Sequence, residues 1–351
     1  MTETLYRIID ANYNRAREAF RVMEEYCRFE LNNTQLSSQA KQHRHELCDV
    51  LNAISQEKLL SNRDTDGDVG RELKVERQLQ RKSLEDCFTA AAKRASEALR
   101  ALAETTQALD PAIAASMEKL RFKSYSLEKN AVLYACSKRK FEAVRLYILI
   151  NATAQADERK VLDLAKVCVD NAADCLQLRA KDCCDSSLLH LAQKFTSLCK
   201  EAGVVSIIND RVDIAVLSDA DGVHLGQDEI PVACARQLAR RPLVVGVSTH
   251  NLNELQHAID SGCDYVGIGP AFASPTKPLL EIAGTDYLQQ AIPILEKAGM
   301  SHVAIGGINT SNIPELLQIG VRTVAVSAAI ENSKNPAGTC KTLKNILLSS
   351  S

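Results

Sequence analysis

A chain of 351 residues, 46% hydrophobic and 25% charged, is long enough for two domains with real cores and too apolar to be mainly disordered. Its formal net charge of −2 gives no bulk positive field for a phosphate backbone, which argues against a nucleic-acid binder. No apolar run of about 18 residues marks a membrane span, and the opening MTETLYRIIDANYNRAREAF lacks the apolar core and cleavage signal of a secretory leader. The expected setting is therefore the cytoplasm. There the twelve cysteines, which form no C-x-x-C pair, are expected as reduced thiols that mostly act as small hydrophobes.

Residues 1–140 hold two Gly, one Pro and 45 charged residues. A breaker-poor, charge-rich segment predicts long helices. Within it Arg15-Ala16-Arg17-Glu18-Ala19-Phe20-Arg21 is echoed by Arg94-Ala95-Ser96-Glu97-Ala98-Leu99-Arg100, with Glu25 and Glu104 at matching offsets. On a helix this is an Arg/Glu stripe beside a small-residue face. The plain reading is two helices packed through alanine and laddered with ion pairs; the alternative is a basic surface for a phosphorylated ligand. The loop Arg63–Gly70 carries Asp64, Asp66 and Asp68, but Val75 stands where a calcium loop needs its last Glu, so calcium binding is not expected there. This helical N-terminal domain (1–140) is left with two options, an oligomerisation or docking module, which would make the protein a homo-oligomer, or a second ligand-binding unit.

From residue 141 to 351 short apolar runs alternate with helical patterns. Strands are expected at Leu146–Asn151, Cys175–Arg179, Val204–Asn209, Gly222–Leu225, Leu243–Ser248, Tyr265–Gly269, His302–Gly306 and Thr323–Ser327. Helices are expected at Glu158–Asp170, Ser187–Ala202, Val232–Ala239, Asn251–Ser261, Thr285–Ala298, Ser311–Ile319 and Lys341–Leu348. Eight such units predict an α/β fold, a C-terminal (β/α)8 TIM barrel preceded by an all-α N-terminal domain. The runner-up is an open doubly wound sheet, weakened by the lack of G-x-G-x-x-G after the first strand.

Barrel chemistry sits at the C-terminal strand ends. The second strand ends in Gln177-Leu178-Arg179-Ala180-Lys181, and alternation points Gln177, Arg179 and Lys181 to one side. Later ends bring Asn209-Asp210, Gly226-Gln227-Asp228-Glu229, Ser248-Thr249-His250, Ser274-Pro275-Thr276-Lys277, Gly306-Gly307 and Ser327-Ala328. Arg179, Lys181 and Lys277 suit a highly charged phosphate. Asp210 and Glu229 are hard oxygen donors for Mg2+. Gly306-Gly307 and Ser327-Ala328 occupy the usual barrel position for a phosphate monoester. One metal-bound diphosphate and one monophosphate suggest a condensation of two phosphorylated small molecules.

These motifs, together with Asp221-Gly222-Val223-His224-Leu225-Gly226-Gln227, Gly246-Val247-Ser248-Thr249-His250 and Ala304-Ile305-Gly306-Gly307-Ile308, resemble those of the thiamine-phosphate synthases, in family order over about 205 residues. The N-terminal extension looks like that of a subset of these enzymes. The resemblance implies a transferase that joins hydroxymethylpyrimidine diphosphate to a thiazole phosphate and releases pyrophosphate. It implies that Gln177 through Lys181, Asn209, Ser248 and Lys277 bind the pyrimidine diphosphate, with Arg179, Lys181, Ser248 and Lys277 catalytic. Asp210 and Glu229 would hold Mg2+. Ser274, Pro275, Thr276, Gly307, Ser327 and Ala328 would hold the thiazole phosphate. The family's bond-breaking step comes first, leaving a pyrimidine methyl cation that the thiazole nitrogen attacks. Glu229 departs from the usual Asp, Ser274 from the usual Thr, and Val324–Ile330 differs by one small residue from the usual strand ending. A thiazole tautomerase-like enzyme and a non-catalytic thiamine-ligand sensor are the competing readings.

Overall fold

The computed structural model describes residues 2–70, 80–153, 157–239, 243–273 and 282–349. It divides into two compact units, Met1–Leu133 and Tyr134–Ser351.

The first unit is helical: α1 (Thr2–Glu25), continued by a π turn over Tyr26–Glu30, then α2 (Thr34–Leu51), α3 (Gln56–Ser61), α4 (Leu84–Thr106) and α5 (Pro111–Glu142), which runs on across the division. Asn33 and Ser83 cap α2 and α4, their side-chain oxygens accepting from the N–H of Leu36 (2.9 Å) and Asp86 (3.1 Å); each satisfies one of the unpaired donors of a first turn. The two halves of the sequence echo lie on α1 and α4, which pack extensively on one another. Ala16 and Ala19 of α1 and Ala91, Ala92, Ala95 and Ala98 of α4 are buried, and small side chains allow close approach of the helices. The charged stripe pairs internally, Arg21 to Glu25 at 2.9 Å and Arg100 to Glu104 at 2.6 Å, as the plain reading expects. In the Arg63–Gly70 loop the acidic side chains serve the loop's own backbone: Asp64 accepts from the Gly67 N–H (2.8 Å) and Asp68 from the Gly70 N–H (2.9 Å). Arg63 forms a two-pronged pair with Asp10 (2.7 Å each).

The second unit is a closed eight-stranded parallel barrel: β1 (Leu146–Ala152), β2 (Cys175–Ala180), β3 (Val205–Asn209), β4 (Gly222–Leu225), β5 (Val244–Thr249), β6 (Tyr265–Ile268), β7 (Ser301–Ile305) and β8 (Val324–Val326), each strand paired with its neighbours and β8 with β1. Between them lie α6 (Glu158–Asp170), α7 (Asp185–Ala202), α8 (Val212–Leu217), α9 (Val232–Ala239), α10 (Leu252–Asp260), α11 (Gly284–Ala298) and α12 (Ile313–Gln318), and after β8 come α13 (Ala328–Glu331) and α14 (Pro336–Leu348). The short helices α8 and α13 are additions to the elements expected from the sequence.

Alternation along each strand sorts the side chains into two cores. Leu146, Ile148, Ile150, Leu176, Leu178, Ile208, Val223, Val245, Val266 and Val324 pack with the helices. Tyr147, Cys175, Val205, Ile207, Val244, Tyr265, Val303 and Ala325 form a separate cluster with Phe141 and Val144, filling the barrel interior as expected for side chains of period two. A buried ion pair ties strands to helices: Arg236 and Asp264 meet at 3.1 Å, with side chains 12% and 6% exposed. Asp264 also accepts from the Val245 N–H (2.7 Å) and from the Tyr134 hydroxyl.

Candidate active site

The interior cluster stops short of the C-terminal strand ends, and above it opens a cavity of about 710 Å3. Leu149 and Asn151 of β1, Gln177 and Arg179 of β2, Asn209 of β3, His224 of β4, Ser248 of β5, Gly267 of β6, Ile305 of β7 and the Ser327–Ala329 segment after β8 all face it. These are the inward positions of each strand, so one rule of alternation delivers residues from every strand to one concave site.

Of the residues expected from the sequence, Gln177, Arg179, Asn209, Ser248, Gly307, Ser327 and Ala328 line the cavity. Leu178 and Ala180 do not; alternation sends them into the helix-facing core, so only their backbone groups can serve a ligand. Lys181 follows the end of β2, and its Nζ lies 3.8 Å from Asp210 Oδ2. The strand ends at Ala180, so alternation by itself does not fix the direction of Lys181. Ser274, Pro275, Thr276 and Lys277 lie outside the described residues.

Arg179 Nη1 donates to Asn151 Oδ1 (3.2 Å), and among the described residues no carboxylate stands within ion-pair distance of it. An arginine aimed into a cavity with an amide rather than a carboxylate against it retains its attraction for an anion. Asn151 was not singled out from the sequence, although it ends the strand expected there and stands one residue before the end of β1. Its amide also donates to Ser327 Oγ (2.8 Å) and to Glu331 (3.0 and 3.1 Å), bracing the ends of β1, β2 and the β8 turn together.

Asp210 has φ +62°, a left-handed conformation that an Asp tolerates better than most side chains. Its N–H donates to the His224 carbonyl (2.8 Å), and Asn209 Nδ2 donates to its carboxylate (2.6 Å). Glu229 stands beside it. Desolvation, and then the nearby Asp210 charge, push the Glu229 carboxyl above its usual range. Two adjacent hard-oxygen donors, one of them with its carboxyl raised by the charge of the other, fit a small divalent cation. Among the described residues no group of three or more His, Cys, Asp or Glu comes together, so such a cation would complete its shell from water and ligand oxygens. Magnesium characteristically does so.

On the far side, Gly306 (φ +104°) and Gly307 (φ +62°) turn the chain after β7. A Cβ on Gly307 would lie 2.4 Å from the Ala273 carbonyl oxygen, so no side chain fits and the backbone itself lines the cavity. Asn309 and Asn312 both donate to the Gly307 carbonyl (3.3 and 3.0 Å), fixing the turn.

Three further residues escaped the sequence argument. His224 Nε2 lies 2.9 Å from Ser248 Oγ and its Nδ1 lies 3.0 Å from Tyr265 Oη, which lies 3.2 Å from Tyr147 Oη. Burial holds both phenols well above the usual tyrosine range, so they are neutral donors. Their alternating positions in apolar strands look like ordinary core, and a two-residue periodicity carries no sign of the partners.

The family model described as Thiamine monophosphate synthase matches residues 146–330, and a second, described as the ThiD2 family, matches residues 7–130. The chain belongs to the thiamine monophosphate synthase family. It is 38% identical to the thiamine-phosphate synthase of Thermosynechococcus vestitus, covering 97% of this chain and 94% of that one. It is 37% identical to that of Rhodopirellula baltica, covering 94% and 89%. Both relatives therefore span the helical unit as well as the barrel. Among solved structures, the thiamine phosphate pyrophosphorylase of Pyrococcus furiosus is 26% identical with a TM-score of 0.52 and covers 61% of this chain and 98% of its own. That structure is thus matched over nearly its whole length by a part of this chain.

Proposed function

We propose that the barrel condenses hydroxymethylpyrimidine diphosphate with a thiazole phosphate to give thiamine phosphate and pyrophosphate. The observation that carries this reading is Arg179, set without a carboxylate partner among the described residues in a cavity that a glycine turn also lines. One cationic end and one backbone-lined end suit two different phosphate groups in one site.

Asp210 and Glu229 would hold Mg2+, which when bound neutralises charge on diphosphate oxygens. Arg179 binds the same diphosphate and stabilises the charge that gathers on it as the C–O bond breaks. Lys181, beside Asp210, adds a second cation, and Lys277 is assigned to the leaving diphosphate. Gln177, Asn209 and Ser248 orient the pyrimidine. Gly307, Ser327 and Ala328, with Ser274 through Thr276, hold the thiazole phosphate so that the ring nitrogen faces the carbon losing the diphosphate. No protein nucleophile is required, because the departing group leaves a resonance-stabilised cation. The cationic residues have no task in a tautomerase-like reaction, which handles no diphosphate.

The test is a product assay with the purified full chain, both phosphorylated substrates and Mg2+, with and without chelator. Thiamine phosphate that disappears on chelation is the expected result. Product formation indifferent to chelator would remove Asp210 and Glu229 from the metal role, and no product at all would overturn the reading.

A further inference from the structure

The Asn151 amide joins two residues assigned to different phosphate groups, and its neighbours fix which way round it lies. Its Oδ1 accepts from Arg179 Nη1 (3.2 Å), while its Nδ2 donates to Ser327 Oγ (2.8 Å) and to the two carboxylate oxygens of Glu331 (3.0 and 3.1 Å). A guanidinium has only donors and a carboxylate only acceptors. Turning the amide over would set its NH2 against the guanidinium and its oxygen against the carboxylate, so one orientation satisfies both. Glu331 holds the residue a second time, its Oε1 accepting from the Asn151 backbone N–H at 2.9 Å.

Each arm of the amide leaves something for a ligand. An NH2 group cannot accept, so Ser327 Oγ is the acceptor of the 2.8 Å bond. Among the described residues Asn151 is the one partner of that hydroxyl, and Ser327 lines the cavity. Its proton is thus uncommitted within the protein and open to an acceptor such as a phosphate oxygen. On the other arm a neutral oxygen occupies one N–H of Arg179. The guanidinium keeps its net charge and its remaining donors. A carboxylate at position 151 would take both.

We infer that Asn151 is a positioning residue for both phosphate groups: one amide, held by Glu331, sets the Arg179 guanidinium for the diphosphate and the Ser327 hydroxyl for the monophosphate. This rests on the proposed function for the identity of the two ligands, but not for the orientation of the amide.

Kinetics of the full chain give the first test. Asn151→Ala removes both arms and is expected to raise KM for each substrate about tenfold, the worth of one hydrogen bond. In a Ser327→Ala background it should raise KM for the thiazole phosphate no further, yet still raise it for the pyrimidine diphosphate, because one arm acts through that hydroxyl. A rise for one substrate alone, or losses that multiply for the thiazole phosphate, overturns the inference.

Asn151→Asp combined with Glu331→Gln separates positioning from folding. The new amide at 331 donates to the new carboxylate at 151, so the link between β1 and α13 survives and Tm is expected within about 3 °C of wild type. The carboxylate nevertheless neutralises Arg179 and draws the Ser327 proton to itself. Inorganic pyrophosphate with Mg2+, titrated by calorimetry, should bind this double variant about tenfold more weakly than wild type. Equal binding overturns the inference. Should the unsubstituted chain make no thiamine phosphate, the functional reading fails while pyrophosphate binding still decides this one, and a wild-type chain that binds no pyrophosphate overturns it.

Discussion

The two units treat charge in opposite ways. In the helical unit the prominent charges are consumed locally: Arg63 with Asp10, Arg44 with Glu24 at 3.2 Å, Lys123 with Glu46 at 2.6 Å, Arg121 with Glu118 at 2.5 Å. In the barrel the strand ends bring Arg179 into a cavity against an amide, and set Asp210 and Glu229 beside one another. A polar residue matched by its own neighbours stabilises a fold. One left mismatched invites a ligand.

Four measurements bear on that contrast. The largest concerns a matched pair in the barrel itself. Asp264→Ala leaves the Arg236 guanidinium buried without its carboxylate and should cost about 4 kcal/mol in urea unfolding followed by the barrel's tyrosine signal. A loss under about 1 kcal/mol would mean that water replaces the pair.

Next comes the mismatched cation. Arg179→Ala should lower kcat/KM for thiamine phosphate formation by about 300-fold while leaving thermal stability nearly unchanged. A large fall in Tm with little kinetic effect would place Arg179 among the structural charges instead.

The helical unit supplies the third. Ala95→Leu forces three extra carbons into a buried position on α4 and should destabilise that unit by about 2 kcal/mol without altering kcat more than twofold. A kinetic loss approaching that of Arg179→Ala would show that the helical unit takes part in the chemistry.

The smallest is a dependence on pH shared by both units. Burial pulls His43 in the helical unit, and His302 in the barrel, down to about 4. Their folded values lie below the unfolded one near 6.5, so the unfolded chain binds more protons in between. The stability they contribute is present above pH 6.5 and is lost as pH falls toward 4, by about 1 kcal/mol per pH unit for each. His302→Gln should flatten this slope in the barrel's unfolding between pH 6.5 and 4.5; an unchanged slope would mean that His302 titrates normally in the folded protein.

How much of this could be seen in the sequence follows from the range of each signal. Barrel strands announce themselves because short, mainly apolar runs between turn residues admit few alternatives, and α6 and α9 begin and end at the residues their periodicity marks. The six-residue α8 and four-residue α13 carry too little periodicity to register. Among site residues, Arg179, Asn209 and Ser248 were legible because polar side chains at apolar strand ends stand out. Lys181 lies one residue past β2, where alternation carries no direction. Tyr147, Tyr265 and His224 were hidden because their roles come from contacts across 118 and 41 residues of chain, which no local pattern encodes.

The empty place on β5 at Gly246 carries a consequence for descent. The Tyr265 ring occupies the volume a Cβ there would need, so residue 246 cannot gain a side chain while that ring stays. Enlarging residue 246 expels the ring, and shrinking residue 265 opens a void in the barrel floor. Lineages that keep the ring are expected to keep the glycine, and a lineage that has lost the glycine is expected to have lost the ring as well.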